Sequence, residues 1–176
     1  MTSPRYVVDS DILILIQRAH LEPRFAQLGR LPLVVTALVW DEVVGPNADA
    51  TRVAGLRSML AATVGQPTDF EAESHEALVF AQLQQPPPTE GVGEHSVIAH
   101  VLTHSDAIAV LNDKKAIQRA TEEVPGRVLG LHGFLRQMVE GGHIPLDLAQ
   151  ALSGEYCRRY TPARPPLWWP PRAPES

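Results

Sequence analysis

The chain has 176 residues, 44% hydrophobic and 20% charged, which is the length and composition of one globular domain with a sizeable core. Its single cysteine excludes an intrachain disulfide, which fits a reducing cytoplasm. The net charge of −5 argues against a large basic surface for nucleic acid, but it does not exclude a nuclease, because acidic metal ligands contribute to that count.

The first apolar stretch predicts a strand and a helix. Residues 5–8 are β-branched and aromatic, and they predict a buried strand that ends at Asp9. Ser10 or Asp11 is expected to cap a helix through residues 12–16. Because the aspartates interrupt the apolar run and no cleavage site follows, we expect no signal peptide. No run approaches the ~18 apolar residues of a membrane span, so we expect a soluble cytoplasmic protein with no membrane contact.

The middle of the chain predicts a second strand and several helices. Residues 32–36 form a β-prone run that a proline opens, and residues 37–44 suit a helix that Gly45-Pro46 ends. Apolar residues at helical spacing predict further helices over residues 53–64, 70–85 and 94–104. The proline triplet at residues 86–88 stops one of these helices and is interpreted as an internal loop.

The last part of the chain predicts two more strands, each followed by helix. The strands cover residues 107–111 and 127–129, and the helices cover residues 114–122, 131–140 and 146–160. Strands that alternate with helices predict a parallel sheet with helices on its faces. We expect one domain over residues 1–160. Residues 161–176, with Trp168-Trp169, form a proline-rich tail that we expect to be polyproline II or disordered.

Four carboxylates could form one site. Asp9 and Asp113 follow apolar strands, and the carboxyl ends of parallel strands form the ligand crevice of such sheets. Glu42 lies in an apolar helix, and Glu94 opens a helix after a glycine-rich turn. Taken singly, each has a structural explanation as a helix cap, a solvated helix face or a first-turn acid. Together they could bind one or two hard cations such as Mg²⁺ or Mn²⁺, which would offset their repulsion and align a phosphodiester for attack by water.

Other polar residues are interpreted as structural or surface groups. His100 and His104 share one face of a helix, but without a His-Glu-x-x-His arrangement we expect surface histidines rather than a zinc site. Lys114, Lys115 and Arg119 either contact phosphate or form a solvated helix face. Another acid, Asp106, precedes its strand and is expected at the opposite edge of the sheet from the carboxylates.

The order of these motifs resembles the PIN-domain nucleases, and in particular the VapC-like toxins of toxin–antitoxin pairs. The resemblance spans residues 5–150 and rests on the stretches YVVDSDILI, VVTALVWDEVV, GVGEHSVIAHVLTH and AIAVLNDKKAIQRA. Residue by residue, it implies that Asp9, Glu42, Glu94 and Asp113 are the catalytic acids and metal ligands. It also implies a three-layer α/β/α sandwich, dependence on Mg²⁺ or Mn²⁺, cleavage of RNA, a homodimer and an antitoxin partner.

Three positions depart from the pattern of that family. Asp11 stands where the family often has Asn or Ser, and it is either an extra ligand or a helix cap. Lys114 takes the place of a second acid, and Asn112 that of a Thr or Ser. These departures leave the number of bound metals open.

Two other functions stay open. Asp9-Ser10-Asp11 also resembles the opening motif of the haloacid-dehalogenase-like phosphatases, in which Asp9 would be the nucleophile, although Ile12-Leu13 stands where that family has Gly-Thr. The third alternative is a catalytically inactive PIN-like binding module, which the departures at Asp11 and Lys114 motivate.

Overall fold

A four-stranded parallel sheet forms the centre of the protein. The structure is a computed structural model, and it describes residues 4–48, 50–85 and 91–160. The strands are β1 (Arg5–Val8), β2 (Leu33–Val34), β3 (Ala107–Val110) and β4 (Val128–Leu129), in the spatial order β2-β1-β3-β4. Every neighbouring pair is parallel, and helices flank the sheet, so the expected three-layer α/β/α sandwich with a parallel sheet is confirmed.

The helices connect and follow these strands. They are α1 (Ser10–Arg18), α2 (Glu22–Ala26), α3 (Ala37–Val44), α4 (Ala50–Thr63), α5 (His75–Leu83), α6 (Val92–Thr103), α7 (Lys114–Glu123), α8 (Leu131–Glu140) and α9 (Leu146–Arg159). Over the described ranges, no helix has the length and apolar character needed to cross a membrane. The interpretations of the proline triplet at residues 86–88 and of the tail at residues 161–176 concern parts of the chain outside the described residues.

The inner strands are apolar on both faces, as parallel strands covered by helices must be. Val7 and Val8 of β1 and Ala109 and Val110 of β3 are at most 1% exposed. They belong to one continuous core that includes the buried ring of Phe134. Since full burial of a side chain such as Val or Phe stabilises the folded state by about 1.5–3 kcal/mol, this core holds the carboxyl ends of β1 and β3 rigidly side by side.

The strand order changes direction between β1 and β3. From β1 the chain moves to β2 on one side, and it then returns across β1 to β3 on the other side. Val8 pairs with Val110, and the backbone N–H of Asp9 donates to the carbonyl oxygen of Val110 at 3.2 Å. Such a reversal leaves a crevice outside the carboxyl ends of the two strands. Asp9 and Asp113 both follow strands that border this crevice.

The second strand is shorter than predicted, because its two ends have other partners. The carbonyl oxygen of Pro32 accepts from the N–H of Tyr6 at 2.8 Å, but a proline has no N–H with which to continue the ladder. At the other end, Thr36 forms an isolated bridge with Thr68 instead of pairing with β1. Only Leu33–Val34 therefore remains as strand.

Two helix predictions need correction. α5 begins at His75 and not at residue 70, because Glu73 has a φ of 64° and Ser74 caps the helix by accepting from the N–H of Ala77 at 3.1 Å. α2 was not predicted, although Pro23 in its first turn is a recognised signal of a helix start. The expectation for Asp106 is confirmed, since it pairs with Arg5 at 2.8 Å at the amino ends of β1 and β3.

Candidate metal and catalytic site

A cleft of about 360 Å³ opens at the carboxyl end of β1. Asp9, Asp11, Glu42 and Glu94 line it, together with Ser10 and residues 91–93. These acids come from three separate parts of the chain, namely the β1–α1 junction, α3 and the first turn of α6. The fold therefore brings together three of the four carboxylates that the sequence predicts as the site, and Asp11 with them.

Asp9 is the most buried carboxylate of the cleft, at 5% exposure. Burial raises the pKa of Asp9 to about 7, partly offset by the hydrogen bond from the backbone N–H of Ser10. The charges of Glu94, Asp11 and Glu42 also contribute to this raised value. Asp9 therefore titrates near neutral pH, and a cation in the cleft would favour its ionised form.

The expected helix cap at Ser10 or Asp11 is wrong. Asp9 itself occupies the N-cap position of α1 in an extended conformation, and its side chain makes no capping hydrogen bond. The helix starts at Ser10 because β1 passes directly into α1, which leaves no residue between Asp9 and the first turn. Asp11 lies inside that turn and lines the cleft.

Ser10 holds Glu42 in position. The Ser10 side chain is buried at 6% exposure, and its Oγ donates to Oε1 of Glu42 at 3.0 Å. This bond joins α1 to α3 across the cleft and leaves Oε2 of Glu42 for another partner. The role of Ser10 was not predicted, since nothing in the sequence tells which residue of α3 it faces.

Gly93 brings the first turn of α6 close to the carboxylates. A Cβ at this position would lie 3.1 Å from Oε2 of Glu42, 3.4 Å from Cγ2 of Val39 and 3.7 Å from Oδ1 of Asp9. The missing side chain thus leaves space between the backbone of α6 and two of the acids. Any group that bridges Asp9 and Glu42 would lie beside the positive end of this helix.

Asp113 does not line the cleft, and it has a structural task. It is exposed and caps α7, where its Oδ1 accepts from the N–H of Lys115 at 2.8 Å and of Ala116 at 3.1 Å. Its charge nevertheless acts on the site. After burial, it is the largest cause that raises the pKa of both Asp11 and Glu94.

Arg119 is the basic group that acts on the site most directly. Its charge lowers the pKa of Glu94, against the larger effect of burial. Its guanidinium contacts Nε2 of His95 and donates to the carbonyl oxygen of Leu83 at 3.2 Å. Arg119 is therefore held by protein groups, whereas Lys114 and Lys115 are exposed at the start of α7.

The donors of the cleft fit a hard divalent cation. They are carboxylate and hydroxyl oxygens, which are the ligands that Mg²⁺ and Mn²⁺ prefer. Among the described residues, no three cleft acids have oxygens that all lie within 4.8 Å of one another. This conformation therefore offers at most two direct carboxylate ligands to one ion, and Mg²⁺ usually binds through one or two carboxylates and keeps several waters.

Two of the histidines do not lie on the surface as expected. His95 and His100 are 2% and 1% exposed, because α6 is buried continuously from His95 to Val101. His95 accepts or donates at Nδ1 with Gln84 at 2.8 Å, and His100 does so with Glu76 at 2.7 Å. The sequence signal was the apolar character of α6 on several faces, which is typical of a buried helix.

Several features of the chain's own residues mark this cleft as a candidate site. A buried aspartate, a serine that orients a glutamate, and a glycine that admits a helix terminus come together at the reversal of strand order. Searches against protein-family models, curated proteins and solved structures found no match.

Proposed function

We propose that the protein is a metal-dependent endoribonuclease that hydrolyses RNA phosphodiesters with Mg²⁺ or Mn²⁺. The observation that carries this proposal is the convergence of Asp9, Glu42 and Glu94 in one cleft at the carboxyl end of the sheet. The likeness of the motif order to the VapC-like PIN domains supports the same activity. It also supports a biological role as the toxin of a toxin–antitoxin pair, with RNA as substrate and an antitoxin protein as partner.

Each acid has a part in the proposed reaction. A bound Mg²⁺ or Mn²⁺ would activate a water and neutralise phosphate charge. Asp9 and Glu42 would hold the ion, and Ser10 keeps Glu42 in one orientation through its 3.0 Å hydrogen bond. Glu94 accepts the proton of the attacking water, since burial and the charge of Asp113 raise its pKa toward the range of a general base. No covalent enzyme intermediate forms.

The test is cleavage of end-labelled single-stranded RNA by the purified protein with Mn²⁺, with Mg²⁺ and with chelator. Cleavage should need the metal, and Asp9→Asn and Glu94→Gln should each lower it by at least ~100-fold, as loss of a positioned acid or base does. Glu42→Gln should also lower it. Asp41→Asn is the matched control, because Asp41 is the exposed neighbour of Glu42 and does not line the cleft. Equal cleavage by the wild type and the cleft variants would overturn the proposal.

The phosphatase alternative has one supporting observation of its own. Asp9 and Asp11, the two aspartates of its opening motif, both line the cleft. It requires a phosphoaspartate on Asp9, which acid quenching during hydrolysis of a generic phosphate ester would trap. RNA cleavage without such an adduct favours the nuclease, and the adduct without RNA cleavage favours the phosphatase. Absence of both activities, with no binding of Mg²⁺ or Mn²⁺, favours the inactive binding module.

A further inference from the structure

A second group of metal-ligating side chains lies at the other end of α6 from the cleft. It consists of Glu76 of α5, His100 of α6 and His104, the C-cap residue of α6, and we name it the His–Glu cluster. One ligand atom from each of the three side chains lies within 4.8 Å of the others. Nδ1 of His100 is 2.7 Å from Oε1 of Glu76, and Nδ1 of His104 is 3.9 Å from Oε2 of the same carboxylate.

The surroundings hold these three side chains in place. The side chain of His100 is 1% exposed and that of Glu76 is 12% exposed, whereas His104, at 35%, opens the cluster to solvent. The two imidazole rings stack with centroids 4.0 Å apart. Nδ1 of His104 also lies 3.0 Å from the carbonyl oxygen of His100 and 3.1 Å from Oγ1 of Thr103.

We propose that the His–Glu cluster binds one divalent ion of the Zn²⁺ class, with Glu76, His100 and His104 as ligands and water in the fourth position. Two imidazole nitrogens and one carboxylate oxygen form a common ligand set of zinc. Mg²⁺ and Ca²⁺ prefer oxygen ligands alone. The two ends of α6 therefore select different metals, a hard ion at the cleft and a borderline ion at the His–Glu cluster.

The ligand atoms need only small movements to hold such an ion. Tetrahedral bonds of about 2.0–2.1 Å place neighbouring ligand atoms about 3.3 Å apart. The 2.7 Å contact of His100 with Glu76 must lengthen and the 3.9 Å contact of His104 must shorten, each by about 0.6 Å. The two stacked rings, whose planes are 15° apart, must also turn until both lone pairs point at the ion, and Nδ1 of His104 then gives up its contact with the carbonyl oxygen of His100.

The proton between His100 and Glu76 must also move. The ion takes the lone pair of Nδ1, and the neutral ring then carries its proton on Nε2. Nε2 of His100 is buried and has no hydrogen-bond partner among the described residues. No hydrogen bond at Nε2 therefore determines which ring nitrogen carries the proton. The guanidinium of Arg5 is already paired with both carboxylate oxygens of Asp106, at 2.8 and 3.0 Å.

An ion at this position would link α5 to α6 and stabilise the packing of α5. α5 has no fully buried residue, and its Leu78 is 57% exposed. Glu76 is the ligand from α5, whereas His100 lies in the buried helix α6 and His104 is its C-cap residue. Binding by the folded state alone stabilises that state, so Zn²⁺ should raise the melting temperature of the protein.

The test uses the full chain, freed of metal, with Zn²⁺ titrated by calorimetry and Co²⁺ by visible absorption. We expect one equivalent of Zn²⁺, intense tetrahedral Co²⁺ bands, and no displacement by excess Mg²⁺. Glu76→Gln and His104→Asn should each weaken Zn²⁺ binding by at least ~10-fold. Substitution of a residue that only contacts a metal ligand already lowers metal affinity by about 10–100-fold, and loss of a ligand itself should lower it at least as much. Both positions are partly exposed, so these variants should fold, which far-ultraviolet circular dichroism checks.

Two controls separate the His–Glu cluster from other sites. His20→Asn removes an exposed histidine whose φ of 56° an asparagine tolerates, and it should bind Zn²⁺ as the wild type does. Asp9→Asn should also keep Zn²⁺ binding, so this inference can fail or hold independently of the nuclease proposal. No Zn²⁺ binding by the wild type, equal binding by the cluster variants, or loss of binding in Asp9→Asn alone would overturn it.

Discussion

At the scale of single residues, the feature that matters most is a carboxyl group buried beside other carboxyl groups. Asp9 is 5% exposed, and no cation among the described residues is a cause of its raised pKa. Burial and like charges both disfavour its ionised form. A protein that keeps an acid in such a place destabilises its own folded state above neutral pH, unless a bound cation compensates. Because burial of Asp9 lowers the stability of the folded state, we infer that Asp9 has a functional role.

The contribution of Asp9 to the stability of the wild type should therefore fall as pH rises. The pKa of Asp9 is 3.8 in the unfolded chain and about 7 in the folded protein. Between these values the folded state keeps a proton that the unfolded state releases, so the free energy of unfolding decreases with pH across this window. The shift corresponds to a loss on the order of 4 kcal/mol, complete above pH ~7.

Urea denaturation at pH 5 and pH 8 measures this loss. Raising the pH from 5 to 8 should destabilise Asp9→Asn less than it destabilises the wild type, whereas Asp41→Asn should respond to pH as the wild type does. Millimolar Mn²⁺ should restore part of the wild-type stability at pH 8 and act less on Asp9→Asn. Equal pH dependence of stability in the wild type and in Asp9→Asn would contradict the burial of an uncompensated Asp9.

At the scale of elements, two helix N-termini near the cleft differ in what their N-cap aspartate does. α1 begins directly after β1, and its N-cap residue, Asp9, keeps its side chain for the cleft. α7 begins with an aspartate that does cap, since Oδ1 of Asp113 accepts two backbone N–H bonds. The two aspartates look alike in the sequence, each at the end of an apolar strand. Only the direction of each side chain separates their roles.

Asp113 offers a way to separate its cap from its charge. Asp113→Ala should lower the free energy of unfolding by about 1 kcal/mol through loss of the cap, whereas Asp113→Asn should change it by only a few tenths, because asparagine caps as well as aspartate. Both substitutions remove the charge that raises the pKa of Glu94. Thermal unfolding measures the first effect, and the pH profile of RNA cleavage measures the second. Equal stability of the two variants would exclude a capping role.

At the scale of the whole molecule, the site exists because three parts of the chain meet where the strand order reverses. The β1–α1 junction supplies Asp9 and Asp11, α3 supplies Glu42 and α6 supplies Glu94. Gly93 is the place of closest approach, with its missing Cβ 3.1 Å from Oε2 of Glu42. A side chain here would intrude on the acids, and its neighbour in the core would be Cγ2 of Val39 at 3.4 Å.

Gly93→Ala should therefore separate stability from activity. Alanine favours helix over glycine by up to about 1 kcal/mol, and Glu42 can move its flexible end aside, so the melting temperature should stay the same or rise. RNA cleavage should fall, since Glu42 then leaves its position between Ser10 and α6. Melting curves and cleavage rates measured on the same preparation check both parts. A clear loss of stability, or full activity, would contradict the packing described for this glycine.

Much of the fold could be predicted from local patterns. The positions of β1, β3, α3 and α8 follow from apolar runs and their period. The reason is that residues on a buried face are apolar and recur with the period of the helix or strand. Elements that depend on distant partners were predicted less well. β2 ends early because Thr36 pairs with Thr68, and α5 starts late because Glu73 takes a left-handed conformation. Neither cause is a property of the local sequence.

The sequence by itself determined that strands alternate with helices around a parallel sheet, and that Asp9, Glu42, Glu94 and Asp113 stand at element ends or on helices near it. Only the tertiary structure decided which of these acids share a cleft, that Asp113 caps a helix beside it, and that Ser10 and Gly93 belong with them. It also decided that Glu76 meets His100 and His104. The physical reason is that periodicity records which face of an element is buried, whereas the direction and neighbours of a polar side chain depend on contacts between segments far apart in the chain.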